Sequence, residues 1–135
     1  MTLVSNELTV FVPTRLVNPT NAREHWSARS KRAKAQRDAV ALAVWSALRD
    51  PVRWKRTVVW RITALPTTPK RISLVGHVAR RFDTDGLQAA MKSVRDGLQD
   101  CGLIHDDGPD SGHTFTYSQR VAKPLGVSIT ISMGG

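Results

Sequence analysis

The sequence predicts an α+β fold: one mixed β-sheet with two helices, in the order β-α-β-β-α-β, over a single domain spanning residues 1–135. Three observations predict it. Apolar and polar residues alternate in separate short stretches, at Leu8/Val10/Val12, at Val58/Trp60/Ile62/Ala64 and at Val127/Ile129/Ile131/Met133. Two longer stretches repeat apolar residues at helical spacing, Val40/Val44/Leu48 and Leu87/Met91/Val94/Leu98/Cys101. Loop chemistry separates them, and 135 residues at 41% hydrophobic content are enough to bury one core.

Each element has a local reason. Glu7 to Val12 alternates and meets Pro13, which suits a strand near a sheet edge. Val17-Asn18-Pro19-Thr20-Asn21 is a turn. A long helix follows over about residues 22–48, capped by Thr20 or Asn21, with Glu24 in its first turn. Its second half is apolar, with Leu42 and Trp45 beside the Val40 stripe, and is expected to pack. Asp50-Pro51 ends it, and a strand over 57–64 follows. After the Pro66–Pro69 turn, Ile72 to Phe82 reads as a third strand with Gly76 a candidate bulge. Asp85-Gly86-Leu87-Gln88 has capping-box spacing, and Gly102 is placed to close the second helix. A polar loop, a short strand around Thr114–Arg120 and a last strand complete the chain.

The formal net charge is +9, and it is segregated. Residues 1–82 carry 16 Lys+Arg against 4 Asp+Glu, whereas residues 83–135 carry 4 against 7. Such a balance implies a polyanionic partner, with nucleic acid the default. Over residues 23–37 of the long helix, the six cations Arg23, Arg29, Lys31, Arg32, Lys34 and Arg37 stand against one acid, Glu24. Like charges at this spacing destabilise an isolated helix, so this half is expected to be a phosphate-contacting arm. A solvated helical face is the plainer reading. The single cysteine, Cys101, excludes an intrachain disulfide and continues an apolar stripe, so it is expected in the core of a cytoplasmic protein. The N-terminus lacks the pattern of a signal peptide, and the longest apolar run, Ala39 to Trp45, is too short to span a bilayer, so no membrane partner is expected.

Against this basic background, acids collect in two places. Asp83 and Asp85 are one residue apart where the third strand gives way to a helix, and Asp106-Asp107 follows that helix. Residues i and i+2 of an extended chain point the same way, so Asp83 and Asp85 can face one point. Two carboxylates held together call for a cation, and Mg²⁺ (or Mn²⁺ in its place) favours oxygen ligands completed by water and phosphate. An antiparallel return after the helix would bring Asp106-Asp107 back to complete the site. Lys92, seven residues after Asp85, falls on the same helical face, where it could stabilise charge on a bound phosphate. Each feature has a plainer reading: Asp85 as a helix cap, Lys92 as the i, i+4 partner of Asp96, Asp106-Asp107 as a turn. The loop lacks the Asp-X-Asp-X-Asp-Gly register of a calcium loop.

The run Arg81-Phe82-Asp83-Thr84-Asp85-Gly86-Leu87, then Lys92, then Asp96-Gly97-Leu98, then Gly102-Leu103-Ile104-His105-Asp106-Asp107, resembles the RusA family of Holliday junction resolvases, phage- and prophage-borne homodimeric endodeoxyribonucleases. Asn18-Pro19-Thr20-Asn21 and the basic helix after it also look like the family's opening. The resemblance covers most of the chain and is specific over residues 80–107. It implies that Asp83, Asp85 and Asp107 are Mg²⁺-binding catalytic carboxylates, that Asp106 supports them, and that Lys92 matches the family lysine. Gly86 stands where the family has asparagine, and Lys92 lies seven residues beyond the second aspartate where the best-known pattern has four. The implied function is resolution of four-way DNA junctions by paired symmetric nicks, in recombination and repair. The helical cations would hold phosphates together with Arg53, Lys55, Arg56, Lys70, Arg71, Arg80 and Arg81. Three rival expectations stand beside it. A non-catalytic RNA-recognition-type module shares the element order, but needs stacking aromatics where the third strand offers only Phe82. A resolvase-like protein that binds junctions without cutting is the second, and a metal nuclease acting on another substrate, such as flaps or single strands, is the third.

Overall fold

The computed structural model describes residues 7–17, 26–48, 69–105 and 112–133. Along them run β1 (Glu7–Pro13), α1 (Trp26–Leu48), β2 (Lys70–Val78), α2 (Thr84–Ala90), α3 (Lys92–Asp100), β3 (Thr114–Val121) and β4 (Gly126–Met133). The strands form one mixed sheet in the order β1-β4-β2-β3. β4 lies antiparallel to both β1 and β2, whereas β2 and β3 are parallel. This is the predicted α+β class. The strand expected over 57–64, the caps Thr20 and Asn21, and Glu24 lie outside the described residues.

The alternation in the sequence decides which face packs. Leu8, Val10 and Val12 of β1, Ile72, Leu74 and Val78 of β2, and Val127, Ile129 and Ile131 of β4 are all buried. Their neighbours on the opposite face include Thr9, Ser73, Ser128 and Thr130, and Thr9 and Thr130 meet through their hydroxyls at 3.1 Å. Against the apolar face lies the stripe Leu87, Met91, Val94 and Leu98, buried as its spacing requires. α2 and α3 are nearly one helix interrupted at Met91. The Met91 N–H reaches Leu87 O at 3.1 Å, and Arg95 N–H reaches Met91 O at 3.1 Å. Gly102, at φ +81°, ends α3 as predicted. Leu103 N–H bonds Leu98 O at 3.2 Å and Gly102 N–H bonds Gln99 O at 3.1 Å, the two bonds of a Schellman motif.

Three expectations about elements need correction. The strand predicted to reach Phe82 ends at Val78, whose carbonyl accepts the Ala122 N–H, and the chain bends at Ala79-Arg80. Gly76 is no bulge: it pairs in register with both Gln119 and Val127. Its role is space, because a Cβ there would lie 2.8 Å from Leu16 Cδ1. Finally, Leu42 and Trp45 are not part of the buried face of α1; they are 64% and 48% exposed. Val40, Val44 and Ala47 fall on one helical face and are buried, and Leu42, two residues on from Val40, lies about 200° round the helix.

α1 and α3 cross in antiparallel sense and in close contact. A Cβ on Gly97 would stand 2.7 Å from Val40 Cβ and 2.8 Å from Arg37 O, so glycine sets the approach. Beside it, Arg37 Nε and an Nη donate to the two Asp100 carboxylate oxygens at 3.0 and 2.8 Å. Because β2 and β3 are parallel, the α2–α3 pair must carry the chain from the end of β2 back to its beginning.

Candidate metal and nucleic-acid site

The site is built from Phe82 onward. Past Val78 the chain leaves the ladder, and a side chain from the neighbouring strand takes hold of it. Gln119 Oε1 accepts the Phe82 N–H at 2.8 Å, and Gln119 Nε2 donates to Phe82 O at 2.8 Å. Asp83 follows in extended conformation (φ −70°, ψ 169°) and caps α2. Its Oδ1 accepts the Gly86 N–H at 2.7 Å, while its carbonyl accepts the Leu87 N–H at 2.9 Å. The cap is therefore Asp83, not Asp85 as the capping-box spacing suggested. Asp85 stands in the first turn, where the helix dipole favours a carboxylate.

This corrects the reason for expecting the two carboxylates together. They are not alternate residues of a strand; an extended cap and a helical turn place them at one exposed helix terminus. Asp83 keeps one oxygen outside the cap bond, and the Asp85 carboxylate makes no hydrogen bond or ion pair among the described residues. Gly86, where the RusA resemblance would have asparagine, is buried and supplies the capped N–H. Two outward carboxylates suit Mg²⁺, which is held by one or two carboxylates and otherwise by water and substrate phosphate. Among the described residues no group of three or more His, Cys, Asp or Glu is placed to hold a metal.

On the other side of Phe82 the surface opens into a depression of about 240 Å³. Leu16, Val78, Phe82 and Leu125 line it, with the exposed Arg15 and Arg80 beside them. His77 also faces it, held by Ser128 Oγ at 2.9 Å and edge-on to Phe11. Arg81 is exposed next to Asp83. Sequence reasoning missed Arg15, whose signal was only its place in the charge census, and Gln119, which carries no local signal.

Lys92 opens α3, exposed, and donates to Asp96 Oδ1 at 3.2 Å, the plainer of its two expected pairings. Asp106 and Asp107 lie outside the described residues. His105, the last described residue before them, sits at the opposite end of β2 from Asp83. Its Nδ1 meets His113 Nε2 at 3.3 Å, and His113 Nδ1 accepts the backbone N–H of Lys70, the first residue of β2. From Lys70 to Gly76, the partner of Gln119, β2 advances about 20 Å. The expected return of the acidic loop toward Asp83 is thus corrected at its premise. The crossover is parallel, so the helices lead the chain away from Asp83.

The cations divide likewise. Arg29 and Lys31 are exposed and Arg32 is half-buried. Lys34 pairs with Asp38 at 3.0 Å, and Arg37 pairs with Asp100 at 2.8 Å. That pairing holds the Asp100 carboxyl below its usual range, first through the hydrogen bond from Arg37. Because α1 runs antiparallel to α3, its basic beginning lies at the His105 end, away from Asp83. Lys70, expected to contact phosphate, is buried, and desolvation lowers its pKa. Arg23, Arg53, Lys55 and Arg56 lie outside the described residues. Cys101 is half-buried with its thiol donating to Leu98 O at 3.3 Å, and burial pushes its pKa up, as suits a core position.

No family model matches the chain, and no curated protein matches it. Among the described residues no helix is long and apolar enough to cross a membrane.

Proposed function

We propose that the chain is a Mg²⁺-dependent endodeoxyribonuclease that nicks branched DNA, with the four-way junction as its substrate and a homodimer as its working form. The observation that carries the reading is the pair Asp83 and Asp85, both exposed at the start of α2, beside the Arg15–Arg80 depression of a chain with net charge +9. The cap needs Asp83 alone, and at Asp85 the helix dipole favours a carboxylate without requiring one. The RusA resemblance over residues 80–107 supports the same reading.

Arg15, Arg80 and Arg81 hold the DNA backbone next to the carboxylates, and recognition is of junction shape with phosphates supplying most of the affinity. Asp83 and Asp85 would hold Mg²⁺ beside the scissile phosphate, where the ion would polarise a phosphoryl oxygen and lower the pKa of a coordinated water. In-line attack of water on phosphorus would form one P–O bond as the P–O3′ bond breaks, with the 3′ oxygen taking up a proton as it leaves, so that the 3′-hydroxyl and 5′-phosphate ends can be ligated. Lys92 stabilises the charge that develops, after exchanging Asp96 for phosphate. Asp107, supported by Asp106, completes the acidic set. His105 lies at the opposite end of β2 from Asp83, about 20 Å along the strand, and we infer that the completing acids come from the second copy. The cations of α1, at that same end, then flank the partner's Asp83.

The test is cleavage of a labelled four-way junction, with and without Mg²⁺, beside a linear duplex of the same sequence. Paired symmetric nicks in the junction alone are expected. Binding without cutting in both Mg²⁺ and Mn²⁺ would replace this reading with a non-catalytic nucleic-acid-binding module.

A further inference from the structure

We propose that Gln119 is the positioning residue for Asp83: its carboxamide, bonded at both ends to the Phe82 backbone, fixes the direction in which the Asp83 carboxylate meets metal. The inference rests on the nuclease reading above and adds to it a residue that neither the motif nor the charge pattern contains.

The argument starts from what happens to the chain after Val78. The β2–β3 ladder ends there, with the Val78 carbonyl taking the Ala122 N–H at 3.3 Å. Residues 79–82 then have no strand to follow. Among the described residues, the hydrogen bonds that anchor this segment are the two that Phe82 makes with Gln119, both 2.8 Å. A carboxamide presents a donor and an acceptor in one plane, as a peptide group does. Gln119 therefore pairs with Phe82 as one further residue of a neighbouring strand would. The next residue is Asp83, whose Oδ1 is already tied to the Gly86 N–H. With the backbone fixed on one side and Oδ1 on the other, little torsional freedom remains for the second oxygen. A loose peptide at Phe82 would let the cap form in several orientations, and metal binding would have to select one of them.

The alternatives make different predictions. If Gln119 merely stabilises the fold, its loss lowers the melting temperature and leaves metal affinity alone in the folded fraction. As a DNA contact, its loss would weaken junction binding without metal. As the positioning residue, its loss weakens metal binding while both of those are retained.

The experiment measures Mn²⁺ binding to the intact protein by electron paramagnetic resonance of the free ion. Melting temperature and junction affinity in EDTA are measured on the same samples. The variants are Gln119→Ala and Gln119→Glu. Gln119→Glu keeps the size and can still accept the Phe82 N–H, but it cannot donate to the Phe82 carbonyl. Both should raise the Mn²⁺ dissociation constant at least tenfold, with melting temperature shifted by a few degrees at most and junction affinity within twofold. Unchanged Mn²⁺ affinity in the variants, against clear binding by the wild type, would overturn the role of Gln119 and leave the nuclease reading standing. Absence of Mn²⁺ binding in the wild type would overturn both. If Gln119→Ala does not fold, Gln119→Glu decides, and a Gln119→Glu that unfolds as well would assign Gln119 to the fold and overturn the proposal.

Discussion

Asp83 holds a structural and a proposed chemical role in one carboxylate, and the two can be separated by choice of substitution. Its Oδ1 caps α2 through the Gly86 N–H. Asparagine caps about as well as aspartate, whereas alanine in place of a good cap costs roughly 1 kcal/mol. Asp83→Asn should therefore leave the denaturation midpoint within experimental error of the wild type and abolish cleavage, with junction binding in EDTA retained. Asp83→Ala should lose both cleavage and about 1 kcal/mol of stability. Junction binding lost in Asp83→Asn would count against the site, because that change removes no cation. At this scale the sequence was half legible. Acids on a basic chain stand out wherever they fall, so Asp83 and Asp85 were found, though the cap was assigned to the wrong one. Gln119 was invisible because its bonds run to a residue 37 positions away and follow no period. Lys70 misled for the opposite reason: a lysine reads as surface until β2's register turns it inward at the buried end of a strand.

Elements were read best where one periodicity controls them. The stripe from Leu87 to Leu98 and the stop at Gly102 are both as the spacing required. α1 was read less well, because Leu42 and Trp45 are apolar without sharing the face of Val40 and Val44. The end of β2 was illegible, since Ala79-Arg80-Arg81-Phe82 carries no Gly, Pro or Asn to mark a turn, while the hydrogen-bond partner ends at Val78. The contact of α1 with α3 supports two predictions. Gly97→Ala gains helix propensity of about 1 kcal/mol, but its methyl would stand 2.7 Å from Val40 Cβ and 2.8 Å from a backbone oxygen. Overpacking should prevail, with net destabilisation of about 1–2 kcal/mol in urea titrations, while Gln99→Ala on the exposed side of α3 should be near neutral. The second concerns Asp100, whose folded pKa lies below that of the unfolded chain because of Arg37. A carboxyl depressed in this way adds stability above its unfolded pKa of about 4 and loses it as pH falls through the folded value. Asp100→Asn should thus be less stable than wild type at pH 7, and the gap should close in strong acid; a gap independent of pH would assign the contact to packing.

For the whole molecule, the parallel pairing of β2 and β3 has the largest functional consequence, and no local pattern announced it. An antiparallel return would have put Asp83 and the acids after His105 at one end of the sheet. The parallel crossover puts the starting points of the two sets about 20 Å apart, with the exposed Arg29 and Lys31 of α1 near the second. Net charge was legible at this scale, and junction affinity should fall steeply between low and moderate salt, since released counterions supply much of the binding. A flat response would remove the phosphate-contacting role of Arg29 and Lys31. The division of the acids calls for a different experiment, in which two inactive homodimers are mixed. Asp83→Asn and Asp107→Asn are each expected to be inactive alone. If each site takes Asp83 from one copy and Asp107 from the other, the mixed dimer has one site with both residues mutated and one with both intact. Mixing after subunit exchange should then restore nicking of a single strand, at up to about half of the sites formed by mixed dimers. If each site lies within one chain, every site in every mixture carries one mutation and no nicking returns. Restored single-strand nicking would make the dimer a requirement of the chemistry itself, because neither copy would then hold a complete acidic set.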